Sequence, residues 1–409
     1  MEVRKGYKKT EVGVIPNDWD VKRLRDIFTL KSGYAFSSNY FSNEGPIVIT
    51  PGNFKLNGGL NFNDKNTNRY SGSYSSSMQF KYGDLVIVMT DLTPDCNLLG
   101  KPGYVKLNEI ILHNQRIGKI SLTSTLIHID YLYWFFLSEF FSRRMKETAT
   151  GSTVRHTSNS SIYNTYISIP SKVEQTAIAN VISETDALIN SIENLISKKR
   201  NIKQGAMQKL LTFKPDWELK RLEEITEIKR GASPRPIENP IWFEENSEIG
   251  WVRISDVTKS KKYLNSTIQS LSKLGIKNSR YVEKGSLIMS ICATVGRPII
   301  TNLDVCIHDG FVFFDNLKID KEYLYYYLMF IESNWGKNGQ TGSQMNLNTN
   351  LINSTIIPLP RVLLEQKRIA SILSEMDAEI TALENKLEKY KKIKTGMMQN
   401  LLTGKIRLV

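Results

Sequence analysis

Two long segments of the chain carry apolar residues at alternating steps of three and four. In the later segment the stripe is interrupted only by Lys394, and its members are Ile369, Leu373, Met376, Ile380, Leu383, Leu387, Tyr390, Met397 and Leu401. The earlier segment has polar breaks at Thr185, Lys199 and Lys203, and its apolar members are Ile178, Ile182, Ile189, Ile192, Ile196, Ala206 and Leu210. Such a heptad stripe is typical of the seam of a coiled coil.

We expect these two helices to pack on each other antiparallel, because a second globular part must return the chain between them. At a rise of 1.5 Å per residue, each helix would span about 55–60 Å. This length exceeds one turn of DNA, which is roughly 34 Å. The three lysines in the stripe interrupt a dry seam, and the pattern leaves open whether they snorkel, contact phosphate or mark a partner's surface.

Outside the helices, short apolar runs are separated by Gly, Asn and Ser clusters, which is typical of strands and turns. The clearest strand candidates are Pro46–Thr50, Asp84–Met89, Trp251–Ile254 and Ser286–Ile291. Aromatic-rich runs at Tyr131–Leu137 and Tyr323–Ile331 predict a helix near the end of each globular part. The mixture predicts an α+β fold.

The chain repeats itself. Asp18–Leu24 returns as Asp216–Leu222, and each copy is followed by a basic residue and a glycine, Gly33 or Gly231. The segment 174–212 aligns without a gap on 365–403, with about half of the positions identical. The sequence therefore predicts two α/β domains related by internal duplication, each followed by a long helix.

The repeat divides the chain into four predicted segments. The first domain would cover 1–170 and its helix 171–212, and the second domain would cover 213–360 and its helix 361–409.

The net charge of +13 and the pI of about 9.4 are typical of a phosphate-binding protein, although many basic proteins bind no nucleic acid. The N-terminal residues contain no apolar core that would indicate a signal peptide, and the longest apolar runs are too short for a bilayer. Three scattered cysteines fit a reducing compartment, so we expect a cytoplasmic protein. The cluster Cys306–Asp309 is most simply a packing feature.

Three segments resemble catalytic motifs and lack essential parts. Asp216–Lys220 contains the carboxylates and lysine of a metal-dependent nuclease, but they are adjacent rather than on separate strands. Asn239–Trp242 resembles the loop with which adenine methyltransferases hold a flipped base, without its second proline. The chain has no phosphate-binding Gly-rich loop ending in Lys-Ser/Thr. The sequence therefore predicts neither a catalytic residue nor a metal site.

The whole chain, from the Asp-Trp motifs to Leu408, resembles the specificity subunits of type I restriction–modification enzymes. The most specific matching piece is 396–404, Gly-Met-Met-Gln-Asn-Leu-Leu-Thr-Gly. Further matching pieces are Gly83–Leu85, Asn114–Arg116, Gly231–Arg235, Trp251–Asp256 and the Glu-Gln pairs at 174–175 and 365–366.

The resemblance implies a division of labour. Each globular part would be a target recognition domain that reads one half of a bipartite, asymmetric DNA sequence, and the helix pair would set the unread gap. Two methyltransferase subunits would dock on the helices, and motor and nuclease subunits would join through them. S-adenosylmethionine, ATP and Mg²⁺ would be bound by those partners and not by this chain.

Base edges are read by Arg, Lys, Asn and Gln, and phosphates are held by basic and hydroxyl side chains on polar loops. The candidates in the first domain are Lys31, Tyr34, Asn53, Lys55, Thr90, Arg116, Ser152, Arg155 and His156. Those in the second are Lys229, Arg230, Ser233, Arg235, Arg253, Arg297, Gln340 and Gln344. We favour Arg235 most, because Pro234 and Pro236 restrict its loop. The triplet 114–116 could equally form a structural hydrogen-bonding corner.

The residues thus predict a DNA-binding specificity subunit without activity of its own. Two alternatives remain at this point, a fused modification or restriction enzyme acting in this chain and a coiled-coil scaffold that binds only protein. The basic loops, and their difference between the two domains, argue against the scaffold.

Overall fold

The computed structural model describes residues 4–93, 95–338 and 347–408. The chain divides into two compact units, one formed by Met1–Glu193 with Lys386–Val409 and the other by Asn194–Asn385. Each unit contains one globular domain together with half of each long helix. In the part of the chain that the structure describes, no helix combines the length and apolarity needed to cross a membrane.

The first domain mixes short strands and helices, as its short apolar runs and turn signals predict. Its strands are β1 Tyr7–Thr10, β2 Gly13–Pro16, β3 Asp20–Arg23, β4 Phe28–Ser32, β5 Phe41–Ile49, β6 Asn68–Tyr70, β7 Leu85–Val88, β8 Thr90–Asp91, β9 Pro102–Tyr104, β10 Ile111–His113, β11 Ile117–Leu122, β12 Arg155–His156 and β13 Tyr166–Ile169. Its helices are α1 Ile129–Phe136, α2 Glu139–Glu147 and α3 Asn159–Tyr163, and the long helix α4 spans Lys172–Leu211.

The second domain also consists of short strands followed by helices and one long helix, with additional short helices between its strands. Its strands are β14 Glu218–Arg221, β15 Glu227–Arg230, β16 Gly250–Val252, β17 Tyr263–Leu264, β18 Gln269–Ser270, β19 Arg280–Val282, β20 Leu287–Ser290, β21 Pro298–Thr301, β22 Val305–Ile307, β23 Phe311–Asp315 and β24 Ile356–Leu359. Its helices are α5 Leu222–Ile225, α6 Ile254–Lys259, α7 Lys273–Lys277, α8 Lys321–Asn338 and α9 Thr349–Asn353, and the long helix α10 spans Leu363–Leu401.

Both domains are built on the same pair of sheets. In the first domain the strand orders are β4-β11-β7-β9 and β10-β5-β6, and in the second they are β15-β23-β20-β21-β17 and β18-β16-β22-β19. The pair β5 and β10 is parallel, as is the matching pair β16 and β22. The prediction of two α/β domains related by duplication is therefore confirmed at the level of topology.

The aromatic runs form helices that pack inside each domain, as the sequence predicts. In α1 the side chains of Tyr131 and Phe136 are completely buried, and in α8 those of Tyr323 and Tyr326 are too. The Tyr131 hydroxyl donates to the Ser168 carbonyl at 3.1 Å. Tyr323 donates to Pro358 in the same way, at 2.6 Å. Since a buried phenol must hydrogen-bond, each contact fixes its helix against the strand that precedes the long helix.

The long helices run antiparallel. In the first unit, Lys391 pairs with Glu193 at 3.0 Å and Lys394 with Asp186 at 2.5 Å, so residue numbers fall along α10 as they rise along α4. Contacts in the second unit follow the same rule, with Lys203 bound to Asp377 at 2.5 Å. The predicted antiparallel pairing of the two helices is confirmed.

The seam residues lie between the helices or against the domain cores. Those that are buried are Ile178, Ile182, Ile189, Ile192, Ile196, Ile369, Leu373, Ile380 and Leu401. The half-buried members are Leu210, Met376, Leu383, Leu387, Tyr390 and Met397. A stripe that is shared between a partner helix and a domain core leaves its outer members partly open to solvent.

The repeated tryptophan and glutamate join each domain to the first turn of the helix that follows it. The Trp19 indole nitrogen donates to Glu174 at 3.0 Å, and Trp217 donates to Glu365 at 3.3 Å. Both tryptophans are buried, so the bond satisfies an indole N–H that water does not reach. This contact explains why the Asp-Trp and Glu-Gln motifs recur together.

The neighbouring glutamines make a second repeated contact. Gln175 accepts from the His128 amide at 2.7 Å and donates to the Pro170 carbonyl at 2.9 Å. Gln366 accepts from the Asp320 amide at 2.9 Å and donates to Pro360 at 2.9 Å. A buried amide that uses both its oxygen and its nitrogen restricts the helix to one orientation on its domain.

The carboxylate of Glu174 is fully buried and also receives Arg407 from the segment after α10. Arg407 donates to Glu174 through Nε at 2.5 Å and through Nη2 at 2.8 Å. Its Nη2 atom also binds Asp18 at 2.8 Å. The hydrogen bond from Arg407 lowers the pKa of Asp18. In the second unit, Lys214 approaches Glu365 at 3.4 Å and lies 4.6 Å from the ring centroid of Trp217.

We predict that Arg407→Ala lowers the free energy of unfolding by about 3 kcal/mol, because it leaves a buried carboxylate without its cation. Urea denaturation followed by circular dichroism measures this change. The control is Arg143→Ala, which removes a fully exposed pair with Glu139 and is expected to cost less than about 0.5 kcal/mol. Equal effects of the two substitutions would contradict the role of Arg407.

Candidate nucleic-acid interface

A glycine at the end of the first core strand brings the loops of each domain together. A Cβ atom on Gly33 would overlap the carbonyl oxygen of His113, and one on Gly231 would overlap that of His308. Any other residue would push the loop away from the turn that follows β10 or β22. This close approach explains the repeated basic-Gly motif and places the loop after β4 or β15 beside that turn.

His113 is the last residue of β10, whereas His308 follows the end of β22 and matches Asn114, yet both histidines are hydrogen-bonded within the framework. His113 is hydrogen-bonded through Nε2 to the carbonyl of Ile117 at 2.8 Å, and the Gly310 amide donates to Nδ1 of His308 at 2.9 Å. Burial lowers the pKa of both rings. Neutral, packed imidazoles fit the interpretation of the 306–309 cluster as a packing feature.

In the second domain, Asp309 gathers the candidate residues of the preceding loop. Its carboxylate accepts from the Ser233 hydroxyl at 2.6 Å and from Arg235 at 3.2 Å, and its carbonyl accepts from Arg230 Nε at 2.9 Å. The Ser233 hydrogen bond and then the charge of Arg235 lower the pKa of Asp309. The site therefore holds a carboxylate beside two guanidinium groups.

A small cleft lies next to this cluster. Its volume is about 230 Å³, and its walls are Arg230, Ile291, Cys292, His308, Asp309, Gly310 and Leu347. Burial raises the pKa of the Cys292 thiol, so this group is neutral. Arg235 stands outside the cleft with 72% of its side chain exposed, so the guanidinium donors that do not face Asp309 are open to a ligand.

The first domain places different side chains on the same framework. Tyr34 donates its backbone amide to the His113 carbonyl at 2.8 Å, and its ring lies 5.8 Å from the Lys31 ammonium. Arg116, exposed in the facing turn, has its backbone amide held by the Asn114 side chain at 2.9 Å. The structure thus brings together three of the predicted residues, Lys31, Tyr34 and Arg116. The triplet 114–116 forms a hydrogen-bonded corner from which Arg116 is exposed.

A second group of candidates meets at the pair of strands β8 and β12. His156 faces Thr90 across the pair, and the Thr90 hydroxyl lies 3.0 Å from His156 Nδ1. Arg155 faces Asp91, which is buried, while Ser152 is exposed in the preceding turn. Thr90 is itself buried and Arg155 is half-buried, so His156 and Ser152 are the exposed members of this set.

Two predicted contacts are not supported by the geometry. Asn53 is completely buried, where it accepts from the Thr50 amide at 2.8 Å and donates to the Asn66 carbonyl at 2.9 Å. Its amide is therefore a structural cap and not a reader of bases. Lys229 is bound to Asp315 at 2.5 Å, and this hydrogen bond raises the pKa of Lys229, so its charge is already paired.

The remaining candidates are dispersed. Lys55 and Arg253 are exposed in the turns that follow β5 and β16. The Asp256 carboxylate accepts from the Arg253 amide at 2.9 Å. This is the same cap that Asn53 provides for the Thr50 amide. Arg297 is half-buried, 3.9 Å from Glu332. Gln340 and Gln344 lie outside the described residues. Within the described ranges, no group of three or more His, Cys, Asp or Glu side chains could hold a metal ion.

The model of the type I restriction–modification DNA specificity domain matches the chain twice, over residues 16–203 and 214–394. The chain belongs to this family. The two matches correspond to the two copies of the repeat, so each copy is one specificity domain with its helix. Family membership agrees with the resemblance found in the sequence.

Relatives of similar length are specificity subunits. The type I restriction enzyme MjaVIII specificity subunit of Methanocaldococcus jannaschii is 25% identical, with 96% of this chain and 94% of the relative covered. The putative MjaX specificity subunit of the same organism is 26% identical, with 98% and 97% covered.

Two solved structures share the fold. The type I restriction–modification S subunit from M. genitalium superposes with a TM-score of 0.61 at 15% identity, covering 98% of each chain. A chain from a structure described as showing complex assembly and conformational transition of the type I R-M system gives 0.58 at 16% identity, covering 96% of this chain and 99% of that one.

Sequence reasoning missed Asp309 as the residue that organises the loop of the second specificity domain. The only signal was its place in the turn after β22, where it matches Gln115 in the turn after β10. Asp309 acts by accepting hydrogen bonds from Ser233 and Arg235, and such a role produces no periodic pattern in the sequence. Its role therefore became visible only once the fold had brought two distant loops together.

Proposed function

We propose that this chain is the non-catalytic, DNA-reading subunit of a cytoplasmic type I restriction–modification enzyme. Each specificity domain reads one half of a bipartite, asymmetric DNA target, and the helix pair sets the unread gap between the halves. Two methyltransferase subunits dock on the helices, and motor and nuclease subunits join through them. S-adenosylmethionine, ATP and Mg²⁺ belong to those partners.

One observation carries the proposal: two domains with the same framework present different side chains at the same place. The first has Tyr34 and Arg116 on its facing loops, where the second has Arg235 and Asp309. A duplicated framework with different loops is suited to reading two different sequences. A protein-only scaffold would have no need for unlike polar groups at equivalent loop positions.

The chemistry of the loops fits base edges in the major groove. An arginine can bind the two acceptors of guanine, and a carboxylate can accept from the amino group of cytosine. Arg235 and Asp309 lie together and could address a G·C pair, with the net positive charge of the chain favouring the phosphates. Tyr34 and Lys31 in the first domain offer a different pattern.

The length of the helices supports their role in setting the gap. α4 contains 40 residues, which corresponds to about 60 Å of continuous helix. This is longer than one turn of DNA, about 34 Å. The alternative of a fused enzyme would need a cofactor loop or a separated nuclease triad, and the sequence contains neither.

We predict that exchanging residues 213–360 for the matching part of a relative changes only one half of the recognised sequence. The complex with its methyltransferase partner is expressed in a host, and the modified adenines are mapped by sequencing. The reciprocal exchange of 1–170 is the control and should change only the other half. Unchanged specificity, or a change in both halves, would refute the assignment of one half-target to each domain.

We also predict that Arg235→Ala weakens binding of the target by about 10- to 100-fold, because it removes a base contact worth about 1–3 kcal/mol. Fluorescence anisotropy with the intact complex measures the affinity. The matched control is Arg361→Ala, an equally exposed arginine that pairs with Glu218 outside the reading loops. Equal affinity of the Arg235 variant and the parent would exclude Arg235 from the interface.

A further inference from the structure

Two of the three lysines that interrupt the apolar seam, Lys394 and Lys203, are each surrounded by side chains from three different elements. In the first unit, Lys394 of α10 is bound to Asp186 of α4 at 2.5 Å. Its ammonium also lies 4.7 Å from the ring centroid of Trp134, whose indole nitrogen donates to Ser183 at 2.9 Å. We call Lys394, Asp186, Trp134 and Ser183 the first junction.

The second unit contains an equivalent set. Lys203 of α4 is bound to Asp377 of α10 at 2.5 Å, and its ammonium lies 5.4 Å from the ring centroid of Tyr326. The Tyr326 hydroxyl donates to Asp377 at 2.8 Å and lies 3.2 Å from Ser374. We call Lys203, Asp377, Tyr326 and Ser374 the second junction.

The repeat relates the two junctions residue by residue. The alignment that places 174–212 on 365–403 places Asp186 on Asp377 and Lys203 on Lys394. In each junction the aspartate therefore comes from the helix that follows its own domain, and the lysine comes from the helix of the other copy. The aromatic ring comes from the domain itself.

Both lysines are largely withdrawn from water. Only 12% of the Lys394 side chain and 19% of the Lys203 side chain is exposed. By contrast, Lys391 and Glu193 form a cross-helix pair on the same helices with 45% and 41% exposed. A buried ammonium without its partner is costly, whereas an exposed pair contributes little.

An apolar heptad stripe does not by itself define one register. Sliding one helix by a heptad, about 10.5 Å, would again bring apolar residues together. That slide would separate both lysines from their aspartates and leave buried charges unpaired. A single polar seam position is known to select one register at some cost in stability, and here two act together.

We propose that the two junctions fix the register of α4 against α10 and hold each specificity domain against the helix pair, and thereby determine the number of unread base pairs. The inference rests on the proposed function of the helices in setting the gap. It assigns that property to named residues, because at each junction a largely buried charge joins both helices to a domain. Lys394, Lys203, Asp186 and Asp377 are positioning residues and touch no DNA.

The second junction carries one further cation. Lys262, from the second domain, lies 4.8 Å from the ring centroid of Tyr326 and donates to Ser374 at 2.7 Å. Its own carboxylate partner is Glu322, at 3.0 Å. Lys262 thus adds a domain-to-helix contact beside the pair and leaves the Lys203–Asp377 pairing intact.

The test uses the complex of the full chain with its methyltransferase partner, after the two half-targets have been found by methylation sequencing. The substrates are duplexes carrying both halves with gaps from three base pairs shorter to three longer than the natural one. The readout is methyl transfer from labelled S-adenosylmethionine to each duplex. The main variant replaces all four charges, as K394M, D186L, K203M and D377L.

This variant is expected to remain folded, because well-packed apolar residues often replace buried ion pairs without loss of stability. We expect methylation of duplexes whose gap differs by one base pair to rise about 10-fold relative to the natural gap. The control is K391A with E193A, which removes an exposed pair from the same helices and should leave the gap preference unchanged. A folded main variant with the parent's gap preference would overturn the inference.

A more conservative variant covers the case in which the fourfold apolar replacement does not fold. K394Q, D186N, K203Q and D377N preserve the approximate size of all four side chains and remove the charges in pairs, so that no buried ion is left without its partner, and the gap preference should again broaden. An unchanged preference would refute the junctions' role. A parent complex that methylates every gap equally would instead refute the proposed function of the helices, so the two failures are distinguishable.

Discussion

The structure depends on a buried polar attachment between each domain and the long helices. At the base of each domain, a tryptophan N–H donates to a glutamate, the buried Glu174 or the half-buried Glu365, and a buried glutamine beside it satisfies backbone groups of the domain. These groups are costly to leave unpaired, so they permit one placement of the helix on its domain. Apolar packing adds stability around them but is less selective.

Each long helix is attached to its own domain and also packs against the other helix. The residues that make these contacts are different from the loop residues that are proposed to read DNA. The strand pairing is repeated in both domains, including the parallel pair that leads into the turns at 114–116 and 308–310. The loops beside those turns differ in charge and size. Under the proposed function, new half-targets arise by changes in the loops that leave the attachment to the helices undisturbed.

The sequence was sufficient for the fold class, the duplication and the antiparallel helices, since all three follow from periodicity and self-similarity. The sequence was insufficient for predicting the roles of individual side chains. Asn53 has the right chemistry for reading adenine but serves as a buried cap, and Lys203 and Lys394 are paired rather than free. Asp309 was overlooked because its partners lie more than seventy residues away in the chain. Such roles depend on long-range contacts that no local pattern records.

The most direct measurement of the central claim is chemical cross-linking between the helices. Cysteines are placed at 193 and 391, whose native side chains meet at their tips across α4 and α10, in a background in which Cys96, Cys292 and Cys306 are replaced. The antiparallel register described here predicts that a short bismaleimide reagent forms an intrachain cross-link between the two cysteines, and none in either single-cysteine control. Failure to form it, or trapping only between separate chains, would contradict the account.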